Sequence, residues 1–165
     1  MNILITQSRN IYDYKPILEG LVDDFGYIYY EAILSWCGIL DDTEFPDYWQ
    51  VYLIKDNDVV VGICGLYGLN GVSVDELWLG WFGIVPDARN QGIGQIALDW
   101  MKQQAYSIGC KTLRTYVDVA GGPESFYLRN GFIKKCTVGE YLQQHPEYSP
   151  ESFEEAHDNV FECQL

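Results

Sequence analysis

The apolar positions change period several times along the chain, and each change marks an element. Asn2 to Thr6 alternates weakly and reads as a first strand. Between Tyr12 and Val22, the residues Tyr14, Ile17, Leu18 and Leu21 fall at helical spacing. Tyr27 to Leu40 repeats that spacing, with Ile28, Ala32, Ile33, Trp36 and Cys37 on one face. After an acidic loop over 41 to 47 that contains Pro46, the pattern becomes that of strands. Gln50 to Lys55 and Val59 to Tyr67 are joined by the hairpin turn Asp56-Asn57-Asp58. Gly62 and Gly65 interrupt the second of these, either weakening it or admitting another backbone. A turn over 69 to 73 leads to a long strand, Val74 to Val85, rich in aromatic residues.

The clearest helix follows a glycine turn: Ile93, Ile96, Ala97, Trp100, Met101, Ala105 and Ile108 keep the i, i+3, i+4 rule, and Gly109 closes it. Thr112 to Val119 is a strand by its β-branched content, broken by Ala120-Gly121-Gly122-Pro123. Pro123 suits the first position of a short helix over Glu124 to Arg129, which Asn130-Gly131 ends. Phe132 to Cys136 is the next strand and Val160 to Leu165 the last. Between them, residues 139 to 158 are polar, carry Pro146 and Pro150, and read as a long loop or a short helix. The order β-α-α-β-β-β-α-β-α-β-β predicts an α/β (α+β) fold: a mixed, mostly antiparallel sheet of about seven strands with helices on both faces. No repeat, low-complexity tract or linker divides it, and 165 residues suit one domain spanning 1–165.

Charge narrows the partners. The net charge is −14, from 10 basic and 24 acidic residues, which argues against nucleic acid, because duplex binding neutralises phosphates with Lys and Arg. It favours encounter with cationic molecules such as amines, and solubility alone explains it equally well. Seven of the basic residues lie between Arg89 and Lys135, the region best suited to an anionic ligand. No apolar run approaches the roughly 20 residues of a membrane span, and the N-terminus has no basic segment ahead of a long apolar one, so the expectation is a cytoplasmic protein. Cys37, Cys64, Cys110, Cys136 and Cys163 are scattered, no C-x-x-C pair exists, and His145 and His157 lie far from any of them in sequence. Reduced thiols and no metal are expected.

The chemistry concentrates at residues 82 to 95, Phe-Gly-Ile-Val-Pro-Asp-Ala-Arg-Asn-Gln-Gly-Ile-Gly-Gln. A strand stops at Pro86, a turn carries Arg89, Gly92 and Gly94 as R-x-x-G-x-G, and a helix begins at once. Backbone N–H groups without helical partners, a favourable helix dipole and glycines that admit a close phosphate make this order an anion site. Its glycine spacing differs from the dinucleotide fingerprint G-x-G-x-x-G, and no Lys-Ser or Lys-Thr follows it as a P-loop requires. An ordinary strand-to-helix turn would use glycines for packing alone.

R-x-x-G-x-G behind a strand ending in Val-Pro resembles motif A of the GNAT acetyltransferase superfamily. The segment Glu124-Ser-Phe-Tyr-Leu-Arg-Asn-Gly-Phe132 is similar to that family's F-Y-x-x-x-G-F segment. The match covers about residues 74 to 136, and the N-terminal third agrees by element order only. The resemblance implies a GNAT-like sheet splayed at its central strands, with acetyl-CoA as co-substrate. Phe82, Gly83, Ile84 and Val85 would hold the pantetheine arm as a substitute strand, and an N–H of Ile84 or Val85 would polarise the thioester carbonyl. Gly83 would mark a bulge or close approach. Arg89, Asn90, Gln91, Gly92, Ile93, Gly94 and Gln95 would hold the pyrophosphate. Tyr127 matches the general acid that protonates the departing thiolate; packing under the sheet is the plainer fate for one of 13 tyrosines. Many members carry an Asn at the end of the strand before the short helix, where this chain has Val119-Ala-Gly-Gly-Pro123.

Glu76 is the candidate base for the amine, directly or through water, with Asp75 and Asp118 as alternatives and a solvated strand-end carboxylate as the bland reading. Trp36, Trp49, Trp78 and Trp81 are candidates to wall an acceptor pocket, with core packing the plainer fate for most. Asp41, Asp42, Glu44 and Asp47 would recruit a cationic amine or simply form a solvated loop. The resulting expectation is an acetyl-CoA-dependent N-acetyltransferase. A primary amine attacks the thioester directly in a ternary complex, with no covalent enzyme intermediate. The alternative is a non-catalytic acyl-CoA-binding sensor or interaction module on the same fold; a nucleotide-binding protein is disfavoured by the missing lysine. The acceptor stays open among polyamine, aminoglycoside, amino acid, peptide N-terminus and protein lysine. Dimers are common in the resembled family, so a homodimer stands open beside a monomer.

Overall fold

The computed structural model describes residues 1–21, 27–40, 48–69, 74–118, 123–148 and 157–165, with backbone only over 27–29. Seven strands form one sheet in the order β1-β2-β3-β4-β5-β7-β6. They are β1 (Ile3–Thr6), β2 (Trp49–Asp56), β3 (Val59–Tyr67), β4 (Glu76–Ile84), β5 (Thr112–Val117), β6 (Ile133–Thr137) and β7 (Asn159–Gln164). The described helices are α1 (Lys15–Gly20), α2 (Tyr27–Trp36), α3 (Ile93–Ser107), α4 (Glu124–Arg129) and α5 (Val138–Gln144), with 3-10 turns at Ile11–Tyr14 and Pro86–Ala88. The expected mixed, mostly antiparallel sheet of seven strands is therefore present. β1 runs antiparallel to β2, and β7 is antiparallel to both β5 and β6. β4 and β5 are parallel, with the three register pairs Glu76↔Thr112, Leu77↔Leu113 and Trp78↔Arg114, although β4 continues to Ile84 and β5 to Val117.

Local chemistry explains most element ends. Asn57 and Asp58 both have positive φ (47° and 70°), the type I′ geometry that suits a two-residue hairpin. The expected helix over 12 to 22 opens as a 3-10 turn, and the α-helical part starts only at Lys15, with Pro16 in its first turn. α2 stops at Trp36 rather than Leu40, because Gly38 adopts φ +71° and the Ile39 N–H turns back to the Leu34 carbonyl. β4 starts at Glu76, two residues later than expected. The stretch after β6 is helical over Val138–Gln144. Thr137 and Glu140 form a reciprocal capping box there, a T-x-x-E signal present in the sequence. In α3 the buried face is Ile93, Ala97, Leu98, Met101 and Ala105; Ile96 and Ile108, expected on it, are exposed.

The chain divides into two compact units: Met1–Phe45, Trp49–Leu66 and Gly80–Met101 in the first, Pro46–Tyr48, Tyr67–Leu79 and Lys102–Leu165 in the second. The first has its own core of Tyr14, Ile17, Leu21, Ile33, Trp36, Val51, Leu53 and Ile63. In the second, Leu77, Trp78, Leu113, Phe132, Val138 and Phe161 are buried, and Trp78 meets the rings of Tyr67, Tyr116 and Tyr141. Among the described residues, no helix is long and apolar enough to cross a membrane.

Candidate functional site

The glycine turn belongs to the first unit, and its shape follows from Pro86 and two positive-φ residues. Pro86 ends β4 and seeds the 3-10 turn; Asn90 (φ 61°) and Gly92 (φ 83°) then reverse the chain into α3. The first helical bond runs from the Ile96 N–H to the Gly92 carbonyl, which leaves the N–H groups of Gly92, Ile93, Gly94 and Gln95 without an acceptor in the preceding turn. No acidic residue lies in the first turn of α3, so nothing there opposes an anion at the positive end of its dipole. A Cβ on Gly92 would meet nothing within 4 Å, so its glycine answers to backbone conformation rather than to crowding. The Gln95 side chain is held by Asp99 at 3.0 Å, which leaves its backbone N–H as what it offers the turn. Arg89 is exposed and donates from Nε to the Ile84 carbonyl at 2.8 Å, bracing the end of β4 against the turn.

That contact also fixes which edge of β4 is in use. The Val85 N–H donates to the Val61 carbonyl of β3 at 2.9 Å and is not available to a thioester, a correction to the pair of donors expected. Strand groups alternate in direction, so Ile84, whose carbonyl takes Arg89, points its N–H to the edge away from β3. Ile84 is the remaining candidate of the two. The irregularity lies at Trp81, which holds φ +49°, a rare conformation for a bulky residue. Gly83 makes the close approach: its carbonyl would sit 2.6 Å from a Cβ on Gly62, and the Trp81 ring would sit 2.5 Å from one on Gly65. The two glycines of β3 thus admit a backbone and an indole.

Tyr127 belongs to the second unit. It is 4% exposed, on α4, with its ring among those of Phe126, Phe132 and Phe161. Lys102 of α3 supports this helix by donating to the Asn130 carbonyl while lying over the Phe132 ring. Burial pushes the phenol up to about 12, and a hydrogen bond with the Thr115 hydroxyl offsets part of that rise. Thr115 stands one residue beyond the last parallel pair, and its Oγ1 lies 3.5 Å from the carbonyl of Leu79, one residue beyond that pair on β4.

Residues 14–132 match the acetyltransferase (GNAT) family. The chain belongs to that family. Among solved structures, it is similar to the PaiA N-acetyltransferase of Thermoplasma acidophilum in complex with coenzyme A, at 16% identity and TM-score 0.65 over all of both chains. It is also similar to a GNAT-family acetyltransferase of Staphylococcus aureus, at 18% identity and TM-score 0.68, covering 99% of each chain. A third likeness is a GNAT-family acetyltransferase of Elizabethkingia anophelis with acetyl-CoA bound, at 19% identity and TM-score 0.66, covering 99% of each chain. These likenesses establish the fold. Among curated protein sequences none matches the chain.

In this GNAT chain the other candidates are placed unevenly. Both Glu76 carboxylate oxygens meet Arg114, at 2.6 and 3.3 Å, and Arg114 also donates to Glu162 at 3.1 Å. Arg114 is almost buried, so this carboxylate is at least partly a structural counter-ion. Asp75 pairs with Lys111 at 3.3 Å, and its carbonyl takes the Lys111 and Thr112 N–H groups. Asp118 lies beside His157 and Asp158, with one donor atom from each within 4.8 Å of the others, a grouping that sequence spacing did not show. Trp36, Trp49 and Trp81 form a run of edge-to-face rings with centroids 5.1 and 5.9 Å apart, of which Trp49 and Trp81 are half-buried. Trp78 is buried in the second unit, against the rings of Tyr67, Tyr116 and Tyr141. Asp41, Asp42, Glu44 and Asp47, and most of the segment from Val119 to Pro123, lie outside the described residues. All five cysteines are free thiols; burial raises Cys37, Cys64, Cys110 and Cys136, which suits none of them to act as a nucleophile.

Proposed function

We propose that this chain is an acetyl-CoA-dependent N-acetyltransferase that passes the acetyl group to a primary amine by direct attack in a ternary complex. The observation that carries the reading is the turn before α3: four successive backbone N–H groups at a helix start with no acidic side chain in its first turn. Coenzyme A in the Thermoplasma relative and acetyl-CoA in the Elizabethkingia relative support the same ligand here.

Acetyl-CoA supplies an activated acyl group with a thiolate leaving group. In this proposal the N–H groups of Gly92 to Gln95 hold the diphosphate, and Asn90, Gln91 and Arg89 shape and charge the turn. The outer edge of β4 from Phe82 to Ile84 holds the pantetheine arm, with Ile84 N–H at the thioester carbonyl. Gly83 contributes by its close packing on Gly62, and Val85 by anchoring to β3. As the amine nitrogen bonds to the carbonyl carbon and the C–S bond breaks, Tyr127 O–H gives its proton to sulfur. The proton lost by the amine leaves through water, for which Glu76 is the candidate acceptor.

The second reading is an acyl-CoA-binding sensor without turnover. It draws on the engagement of both candidate groups, Tyr127 with Thr115 and Glu76 with Arg114. An acceptor screen across polyamines, aminoglycosides, amino acids and peptides, reading thiol released from acetyl-CoA, tests the first reading. Calorimetry with coenzyme A and with ATP accompanies it. Thiol release with an amine supports the enzyme. Heat with coenzyme A but no release with any amine supports the sensor, and heat only with ATP refutes both.

A further inference from the structure

Three indoles of the first unit, Trp36 on α2, Trp49 on β2 and Trp81 on β4, meet edge to face with centroids 5.1 and 5.9 Å apart. They differ in access. Trp36 is 2% exposed, whereas Trp49 and Trp81 border the core and stay half-buried. The buried member already carries a cation: the Arg9 guanidinium carbon stands 3.3 Å from the centre of the Trp36 ring, and Arg9 also donates to the Trp36 carbonyl. The ring is fixed beneath it, its Nε1–H donating to the Ser8 carbonyl at 2.7 Å. Indole offers a cation the best of the aromatic faces, and the attraction grows as water is removed.

Trp81 is held in a strained backbone. Its φ of +49° is rare for a bulky side chain, and such a residue persists only where its surroundings over-determine it. They do so at Gly65: a Cβ there would stand 2.5 Å from Trp81 Cε3 and 2.8 Å from the Gln50 carbonyl oxygen, so β3 is left bare beneath the indole. Trp81 also lies three residues before Ile84, roughly 10 Å along β4, within the length of a small acceptor from the N–H proposed for the thioester carbonyl.

We infer that the Trp49–Trp81 pair determines acceptor specificity, and that the acceptor carries, besides its primary amine, a second cationic group that lies against these indoles. The net charge of −14 favours the same class, because it draws polycations and opposes the carboxylate of a free amino acid. The second group makes and breaks no bond; it holds the molecule so that its other nitrogen meets the thioester. The inference rests on the acetyl-transfer reading and names the acceptor class for it.

The test pairs 1,4-diaminobutane with butylamine and 1,5-diaminopentane with pentylamine, which keep the chain and lose the second charge; phenethylamine adds a flat neutral ring. Calorimetry on protein saturated with coenzyme A reads binding without turnover, and thiol release from acetyl-CoA reads kcat/KM. In the parent, each diamine should be preferred to its monoamine about 5- to 30-fold, the worth of a cation on an indole face. Trp81→Gly accepts the positive φ and removes the ring. It and Trp49→Leu should bring the preference close to unity, and Trp81→Phe and Trp49→Phe should keep part of it. The ratio cancels any loss of stability or rate common to both amines, so a weakened variant still reports. Equal heats, or none, with diamine and monoamine in the parent overturn the inference, as does a ratio that Trp81→Gly and Trp49→Leu leave unchanged, or a preference for phenethylamine over both diamines. A diamine preference in calorimetry with no thiol released from any amine leaves the indole site standing and removes the acetyl-transfer reading. Thiol released equally with diamine and monoamine does the reverse.

Discussion

Replacing Gly62 with alanine should disturb the proposed cofactor edge from behind, without touching its solvent side. A Cβ there would sit 2.6 Å from the Gly83 carbonyl oxygen, 2.7 Å from Ile84 Cδ1 and 3.2 Å from Ile54 Cδ1. The two isoleucine tips can turn; the Gly83 oxygen is backbone and moves only with β4. Ordinary contact begins at 3.4 Å, so β4 must retreat by roughly 0.8 Å, a distance taken from the crowded atom alone. Overpacking of this kind costs about 1–3 kcal/mol, and the middle of that range lowers Tm by about 4–8 °C in a chain of this size. The stretch that moves includes Ile84, so coenzyme A affinity should fall as well. The rate should fall further still, since a displacement near 1 Å costs about 10²-fold in a positioned reaction. Gly68→Ala is the control: its Cβ would meet Leu77 Cδ2 at 3.6 Å and Tyr48 Cβ at 3.7 Å, ordinary contacts. Thermal melts and calorimetry with coenzyme A read both variants. If Gly62→Ala melts within a degree or two of the parent, or Gly68→Ala falls as far, the close approach of the Gly83 carbonyl to Gly62 is not a constraint.

Arg89→Ala should weaken coenzyme A binding only about 3- to 10-fold, because an exposed guanidinium adds one charge-assisted contact to a turn held mainly by backbone. Titration calorimetry checks this, and a loss above about 100-fold would make the side chain the principal holder. The raised Tyr127 value means that its proton binds more tightly in the folded state. This stabilisation is complete below pH 10.0, the phenol's unfolded value, and is lost as pH rises through about 12. Tyr127→Phe should therefore flatten the alkaline fall in stability between those limits, on the order of 2–3 kcal/mol by denaturant titration. Thr137→Ala removes the capping box of α5 and should cost about 1 kcal/mol. Hydrogen bonding to Thr137 holds the Glu140 carboxyl below its ordinary 4.5, so its contribution is present above that pH and lost as pH falls through the lower folded value. Glu140→Gln should shrink that acid-side slope in melts taken across the range.

What was legible was local. The turn from Pro86 to Gly92, the hairpin at Asn57 and Asp58, and the stop at Gly109 follow from residues that dictate their own backbone, and all stand where the pattern put them. Gly38 carries the same kind of signal, but the apolar spacing of α2 runs on through Cys37 and masks it. Trp81 was not legible: tryptophan has no preference for positive φ, and its conformation is set by packing against Gly65 on another strand. The pairing of Glu76 with Arg114, and of Arg114 with Glu162, was equally hidden. It depends on the registers that put Trp78 opposite Arg114 and Arg114 opposite Glu162, and register is a tertiary fact. The sequence placed the phenol of Tyr127 in its motif but not Thr115 beside it, since the two meet only when β5 and α4 are assembled.

The pairing of Glu76 sets the terms on which its proposed role can be judged. A carboxylate that accepts from an almost buried guanidinium loses lone pairs that a base would use, yet its side chain keeps 36% of its exposure, enough to meet water. Glu76→Gln removes the charge from both roles together. Loss of the ion pair should cost about 2–3 kcal/mol, the worth of hydrogen bonds to charged groups, and Glu162 retains its hold on Arg114. Adding Arg114→Met to Glu76→Gln should return part of that loss, because it removes the guanidinium left short of a partner. Rate must then be compared between variants of matched stability. If Glu76 accepts the amine's proton through water, kcat drops well below the parent's in Glu76→Gln and does not recover in the double variant. If kcat holds while Tm alone drops, the carboxylate is a clamp between β4 and β5, and water deprotonates the amine without it.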